Sequence, residues 1–213
     1  MPHHLIISGA PSTGKSSLLR RLRQAHPRLE DFYDVIMDGG RWWVEMDRAR
    51  GGTPSSLDTM SREDRARMQR EITSYYVERT QAAKAKGKAI IADAFFAEVL
   101  AYGLDCLEKA DTARVEDLLR ASRREVDVLL LPISHIALEQ DGLRHGDAAF
   151  REEVQERILT IYAGHDIPVV FPPSASMEER LELVEGLLRA QCPEALTMEK
   201  PLRAQKNVSL YRH

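Results

Sequence analysis

Residues 5–22 read LIISGAPSTGKSSLLRRL, and this stretch decides the fold. Within it Gly9-Ala10-Pro11-Ser12-Thr13-Gly14-Lys15-Ser16 fits G-x-x-x-x-G-K-[ST] without a gap. The apolar run Leu5-Ile6-Ile7 ahead of it reads as a buried strand, and Leu18, Leu19 and Leu22 behind it fall at helical spacing. The residue types suit the task. Gly9 and Gly14 permit a turn tight enough for successive N–H groups to converge on phosphate oxygens. The start of the following helix adds its partial positive charge. Lys15 reaches the β- and γ-phosphates in such a motif, and the Ser16 hydroxyl sits on Mg²⁺. Gly9 through Lys15 and Ser16, with Ser17 beside them, are therefore the expected phosphate-binding residues of a nucleoside triphosphate site.

Outward from this stretch, apolar strands alternate with helical patterns. Strands are expected at about 32–37, 88–93, 126–133 and 169–171, and each is apolar on both faces. Helices are expected at about 15–24, 61–86, 97–109, 113–124, 150–162 and 177–190, the second opened by Ser61 with Asp64 three residues on. Residues 41–50 read as a short helical or irregular piece. The alternation predicts a parallel sheet covered by helices on both sides.

The chain of 213 residues suits one domain with a well-buried core. A formal charge of −3 gives no electrostatic reason to expect nucleic acid or a membrane surface as partner. No apolar run approaches a membrane span, and too few residues precede the first strand for a signal peptide, so a cytoplasmic protein is expected. Cys106 and Cys192 lack metal or disulfide spacing and read as two free thiols.

Phosphoryl transfer needs a metal-holding acid, a group to orient the nucleophile, and positive charge for the transferring group. Asp93 closes an apolar strand, so a parallel sheet places it at the carboxyl edge beside the phosphate loop. Asp38 follows the second strand similarly, but its Gly39-Gly40 neighbours fit a plain turn equally well. Glu45 and Arg48 share a helix face, either as a surface ion pair or as substrate base and phosphate-binding cation. Trp42 and Trp43 suit base stacking, with core packing the expected use for at least one. Arg144, in QDGLRHGD, lies in a polar segment at about 134–149 suited to a lid that closes over the nucleotide.

Together these pieces resemble a known family, the P-loop kinase-like ATPases related to the nicotinamide riboside kinase domain of the bacterial bifunctional NAD-synthesis regulator. The resemblance rests on GAPSTGKSS, on E-x-x-R as Glu45 to Arg48, and on Gln69-Arg70. It extends through IIADAFFAEVLAY with Asp93, QDGLR at 140–144, the helix beginning at Phe150 and the IPVVFPP strand. It spans about residues 5–190, leaving 191–213 as a basic tail. It implies a P-loop NTPase three-layer α/β sandwich with five parallel strands in the order 2-3-1-4-5. It also implies ATP- and Mg²⁺-dependent phosphorylation of a small, nucleoside-like acceptor, with Ser16 and Asp93 on the metal and Glu45 as base. Arg48 and Arg144 would supply charge, and the adenine would lie near Pro173. The chain departs from the family where Ala94 stands in place of an arginine after Asp93. It carries no N-K-x-D after the fourth strand, which argues against GTP. A second reading is a nucleotide-dependent switch or accessory ATPase that acts on a protein partner through the tail and the long polar helix.

The lid reading yields a test. Arg144→Ala is expected to lower turnover by roughly 10³-fold while ATP affinity changes only a few-fold. Titration of ATP and measurement of kcat on both proteins check it.

Overall fold

The structure, a computed structural model, describes residues 3–52, 59–135 and 148–197. Five parallel strands form one sheet in the order β2-β3-β1-β4-β5, as expected. They are β1 (His4–Ser8), β2 (Tyr33–Ile36), β3 (Ala89–Asp93), β4 (Val126–Leu130) and β5 (Val169–Val170). Among them run α1 (Lys15–Ala25), α2 (Leu29–Phe32), α3 (Gly39–Ala49), α4 (Arg62–Ala85), α5 (Phe96–Gly103), α6 (Lys109–Ser122), α7 (Ala148–Gly164) and α8 (Met177–Gln191).

Strand alternation sorts the core into two layers. Leu5, Ile7, Ile91 and Leu129 face α1 and α8, where Leu18, Leu19, Leu22, Val184 and Leu188 are buried. Ile6, Ile90, Ala92 and Val128 face the opposite layer, which includes Ile72, Leu100, Val115 and Ile158. Each such side chain contributes roughly 1.5–3 kcal/mol on leaving water. The sheet therefore hides both faces, which is why its strands read as continuous apolar runs.

Helix ends follow local chemistry. Ser61 caps α4 by accepting from the Asp64 N–H at 3.0 Å, and Gly87 ends it with φ of 70°. Asp38 is more than a turn residue: its carboxylate accepts from the Gly40 N–H at 2.9 Å and caps α3, which begins at Gly39. The segment expected as one helix over about 97–109 breaks at Gly103. Cys106 and Leu107 turn inward there and Leu107 lies over Gly103, where a Cβ would not fit. Past α8, residues 193–196 form a turn of 3₁₀ helix that buries Ala195. The tail from 198 onward lies outside the described residues.

Both cysteines are free and buried. Among the described residues no helix is long and apolar enough to cross a membrane.

Gly39 is held under α4. Its N–H donates to the Tyr76 hydroxyl at 3.2 Å, and a Cβ would stand 2.7 Å from Ile72 Cγ2. Gly39→Ala is therefore expected to cost about 1–3 kcal/mol, read as a lower urea midpoint with an unchanged slope.

Candidate active site

The carboxyl edge of the sheet gathers the site. Pairing of β1 with β3 sets Ile7 level with Asp93, so the chain leaves both strands side by side. The loop after β1 then folds back on itself. Gly9 has φ of 137° and lies against the Leu131 backbone, where a Cβ would meet the Leu131 carbonyl oxygen at 2.7 Å. Ser12 and Gly14 take positive φ as well, 57° and 88°, and α1 starts at Lys15. Lys15 Nζ donates to the carbonyls of Gly9 at 2.8 Å and Ala10 at 2.9 Å, which bends the side chain over the loop. Thr13 closes the turn by donating its hydroxyl to Ala10 O at 3.0 Å.

Ser16 donates its hydroxyl to Asp93 Oδ2. Asp93 is fully buried, and its Oδ1 has no hydrogen-bond partner. Burial pushes this carboxyl up to about 6; Lys15 and the Ser16 hydroxyl oppose the shift, while Asp38 and Glu98 add to it. A buried carboxylate oxygen with no donor fits a site that takes a cation or its water. Ser16 and Asp93 bring two hard oxygens together, the donor type Mg²⁺ accepts, and among the described residues no cluster of three or more His, Cys, Asp or Glu side chains has metal-binding geometry.

Sequence reasoning missed the residues that grip the loop from outside. Glu98, on α5, pairs with the Ser8 hydroxyl and accepts from Gly9 N at 3.2 Å and Phe95 N at 2.8 Å. Gln155 on α7 accepts from Ala10 N at 3.1 Å. Arg151 on α7 donates to Ser12 O at 3.2 Å, and Arg180 on α8 donates to Thr13 O at 3.0 Å. Each arginine is the charge on a buried helix face, Arg151 with Val154, Gln155 and Ile158, and Arg180 with Val184 and Leu188. That misplacement of charge was the available signal.

The remaining expected residues lie farther out. Glu45 and Arg48 are exposed on α3 and make no ion pair with each other. Trp43 is buried in the core, whereas Trp42 is half-buried and stacks on Tyr75, with centroids 4.3 Å apart and planes at 13°. Glu45 and Asp38 both lie close enough to the Tyr75 hydroxyl to raise its pKa, though burial is the larger cause. Beyond β5, Phe171 is 48% exposed, Pro172 is buried and Pro173 exposed. Arg144 and most of the expected lid, residues 136–147, lie outside the described residues.

A family profile described as an AAA domain matches residues 4–180. No curated protein matches the chain in sequence. Among solved structures, thymidylate kinase from Candida albicans superposes with a TM-score of 0.61 at 15% identity, over 92% of this chain and 94% of that one. NadR protein in complex with NAD and AMP-PNP gives 0.58 at 18% identity, and its complex with NR gives 0.54 at 21%. These cover 93% and 87% of this chain but 51% of each NadR chain, so this chain spans about half of NadR. At such identities the likeness shows the fold, a kinase-like P-loop fold that agrees with the family resemblance in the sequence.

Asp93 also sets a pH dependence. Its carboxyl titrates near 6 in the folded chain against 3.8 in the unfolded one, so the unfolded state loses its proton first. Stability from this group is then lost as pH rises through that window and remains lower at neutral pH. Asp93→Asn is expected to be more stable than wild type at pH 7.5 by roughly 1–3 kcal/mol, with the gain vanishing below pH 4. Urea unfolding in EDTA at several pH values measures it. A variant less stable than wild type at pH 7.5 would show that the buried charge carries no cost.

Proposed function

The chain belongs to the AAA-domain family, and on that premise we propose that it is an ATP- and Mg²⁺-dependent kinase that phosphorylates a hydroxyl of a small, nucleoside-like acceptor. The observation that carries the reading is Asp93, buried at the edge of the phosphate loop with one oxygen on Ser16 and the other without a donor. Ser16 and Asp93 would hold Mg²⁺, which when bound neutralises charge on the β- and γ-phosphates. The loop amides and Lys15 bind the phosphate oxygens. Lys15 exchanges its two carbonyl partners for them, which places a positive charge on the transferring group. Phe171 offers an aromatic face, and Pro173 a wall, for the base of ATP.

The acceptor lies on the α3 side. Glu45 takes the proton of the acceptor hydroxyl as that oxygen attacks the γ-phosphorus and the bond to the β-phosphate oxygen breaks, releasing ADP. Arg48, and Arg144 from the lid, bring positive charge toward the transferring phosphoryl group and help exclude water. The Trp42–Tyr75 stack suits a planar ring on the acceptor.

The test is incubation with ATP and Mg²⁺ and a panel of nucleosides, sugars and amino-alcohols, with mass detection of an added phosphate. Wild type is expected to phosphorylate a member of the panel. Lys15→Ala is expected to fold with an unchanged circular dichroism spectrum and to lose about 10²–10³ in kcat. ATP hydrolysis without any phosphorylated acceptor would favour the accessory ATPase instead.

A further inference from the structure

The peptide groups of the phosphate loop fall into two sets by where their partners lie. The Ser8 carbonyl accepts from Leu131 N at 2.9 Å, while the Gly9 N–H on the same peptide donates to Glu98. The Gly9 carbonyl accepts from Lys15, while the Ala10 N–H donates to Gln155. Both groups of these two peptides are satisfied within the protein. The next part of the loop differs. The Ser12 carbonyl accepts from Arg151 Nη2 and the Thr13 carbonyl from Arg180 Nη1. Their peptide partners, the N–H groups of Thr13 and Gly14, have no acceptor among the described residues.

In a trans peptide the C=O and N–H point opposite ways, and no peptide bond among the described residues is cis. A cation fixed on each carbonyl from outside therefore turns the corresponding N–H inward. It also polarises that N–H, since a donor on the oxygen strengthens the acidity of the amide across the same group. Arg180 is suited to this and to little else. It is fully buried, and its only acceptors among the described residues are the carbonyls of Thr13 and, at 3.4 Å, Ser174. Its Nη2 has no partner, and no carboxylate of the described residues lies within ion-pairing distance. A buried guanidinium without a counter-charge is costly in an empty protein and is compensated when an anion arrives.

We propose that Arg151 and Arg180 are positioning residues for the donor nucleotide, each holding one phosphate-loop peptide so that the amides of Thr13 and Gly14 face the polyphosphate. The proposal rests on reading the loop as the triphosphate site. Neither arginine touches the nucleotide; each acts through one peptide bond, and together they raise affinity for the polyphosphate without bearing on the nucleoside.

The full-length chain tests this with two readouts. In ¹H–¹⁵N spectra without ligand, Arg180→Gln is expected to move the Gly14 amide nitrogen and leave that of Thr13 in place. Arg151→Gln is expected to do the reverse. In titrations, each variant is expected to bind ADP about tenfold more weakly while adenosine affinity stays within twofold. Arg180→Lys, which keeps the charge and one donor, is expected to fold and to recover part of the ADP affinity. It carries the test at that position should Arg180→Gln not fold. Unmoved amide signals, ADP affinity within twofold of wild type in a folded variant, or equal losses for ADP and adenosine would each overturn the assignment. Wild type that binds no ADP would overturn it together with the proposed function. ADP binding with no phosphorylated acceptor would overturn the kinase reading alone.

Discussion

The hydrogen bond from the Ser16 hydroxyl to the Asp93 carboxylate joins the first turn of α1 to the end of β3, and the rest of the site is arranged to make that contact reachable. Parallel pairing brings the two strand ends level, but the chain after Asp93 must also turn away at once. It does so at Ala94, whose φ of 70° is a left-handed conformation that costs an alanine about 1–2 kcal/mol. Ala94 N donates to Ile7 O at 3.1 Å, and Phe95 N is delivered to Glu98. Since Glu98 also accepts from Gly9 N, one buried carboxylate fastens the exit of β3 to the exit of β1. The consequence is a concentration of negative charge. Asp93, Asp38 and Glu98 lie together with Lys15 as the cation opposing them; burial is the main reason Asp93 holds its proton to a pH near 6, and the neighbouring acids add to it.

The sequence was legible where function and local structure share a signal. The phosphate loop is contiguous, its flanking strand and helix have unmistakable periods, and Asp93 closes an apolar run. Glu98, Gln155, Arg151 and Arg180 were not legible, because their partners in the loop lie 89 to 167 residues away. Each belongs to a helix that reads as covering for the sheet, and only the charges of Arg151 and Arg180 at buried-face spacing hint at more. Asp38 was ambiguous for a related reason: a strand followed by Asp-Gly-Gly spells a turn, and the capping role appears only when α3 begins at the first glycine. The break at Gly103 was hidden because Cys106 and Leu107 continue an apolar, helix-like spacing while packing in a different direction.

The strand order divides the labour of the site. With β1 in the middle, the phosphate loop has β3 and β2 on one side and β4 and β5 on the other. The hydrogen bonds that stiffen the loop come largely from the β4–β5 side, from Gln155 and Arg151 on α7 and Arg180 on α8. The β2–β3 side supplies acids and aromatics instead. There the rings run from Trp42 through Tyr75 and Tyr76 to Phe95 and Phe96 below the Asp93 turn, each within 5.6 Å of the next.

These two sides have different tolerances for change. A loop whose carbonyls at Ser8, Gly9, Ala10, Ser12 and Thr13 are all committed cannot shift one without stranding a buried group, and stranding one costs about 1–3 kcal/mol. The α3–α4 side bears no such constraint on its outer residues. Glu45 and Arg48 are exposed, and Trp42 lies half-buried against a single ring. Substitutions there can reshape what lies opposite the nucleotide while Tyr76, Trp43 and the Asp38 cap keep α3 in place. In a two-substrate enzyme this separation fixes the nucleotide side of the reaction and leaves the acceptor side free to vary. Under the proposed kinase reading, the uneven distribution of buried hydrogen bonds around the loop assigns selection of the acceptor to α3 and α4.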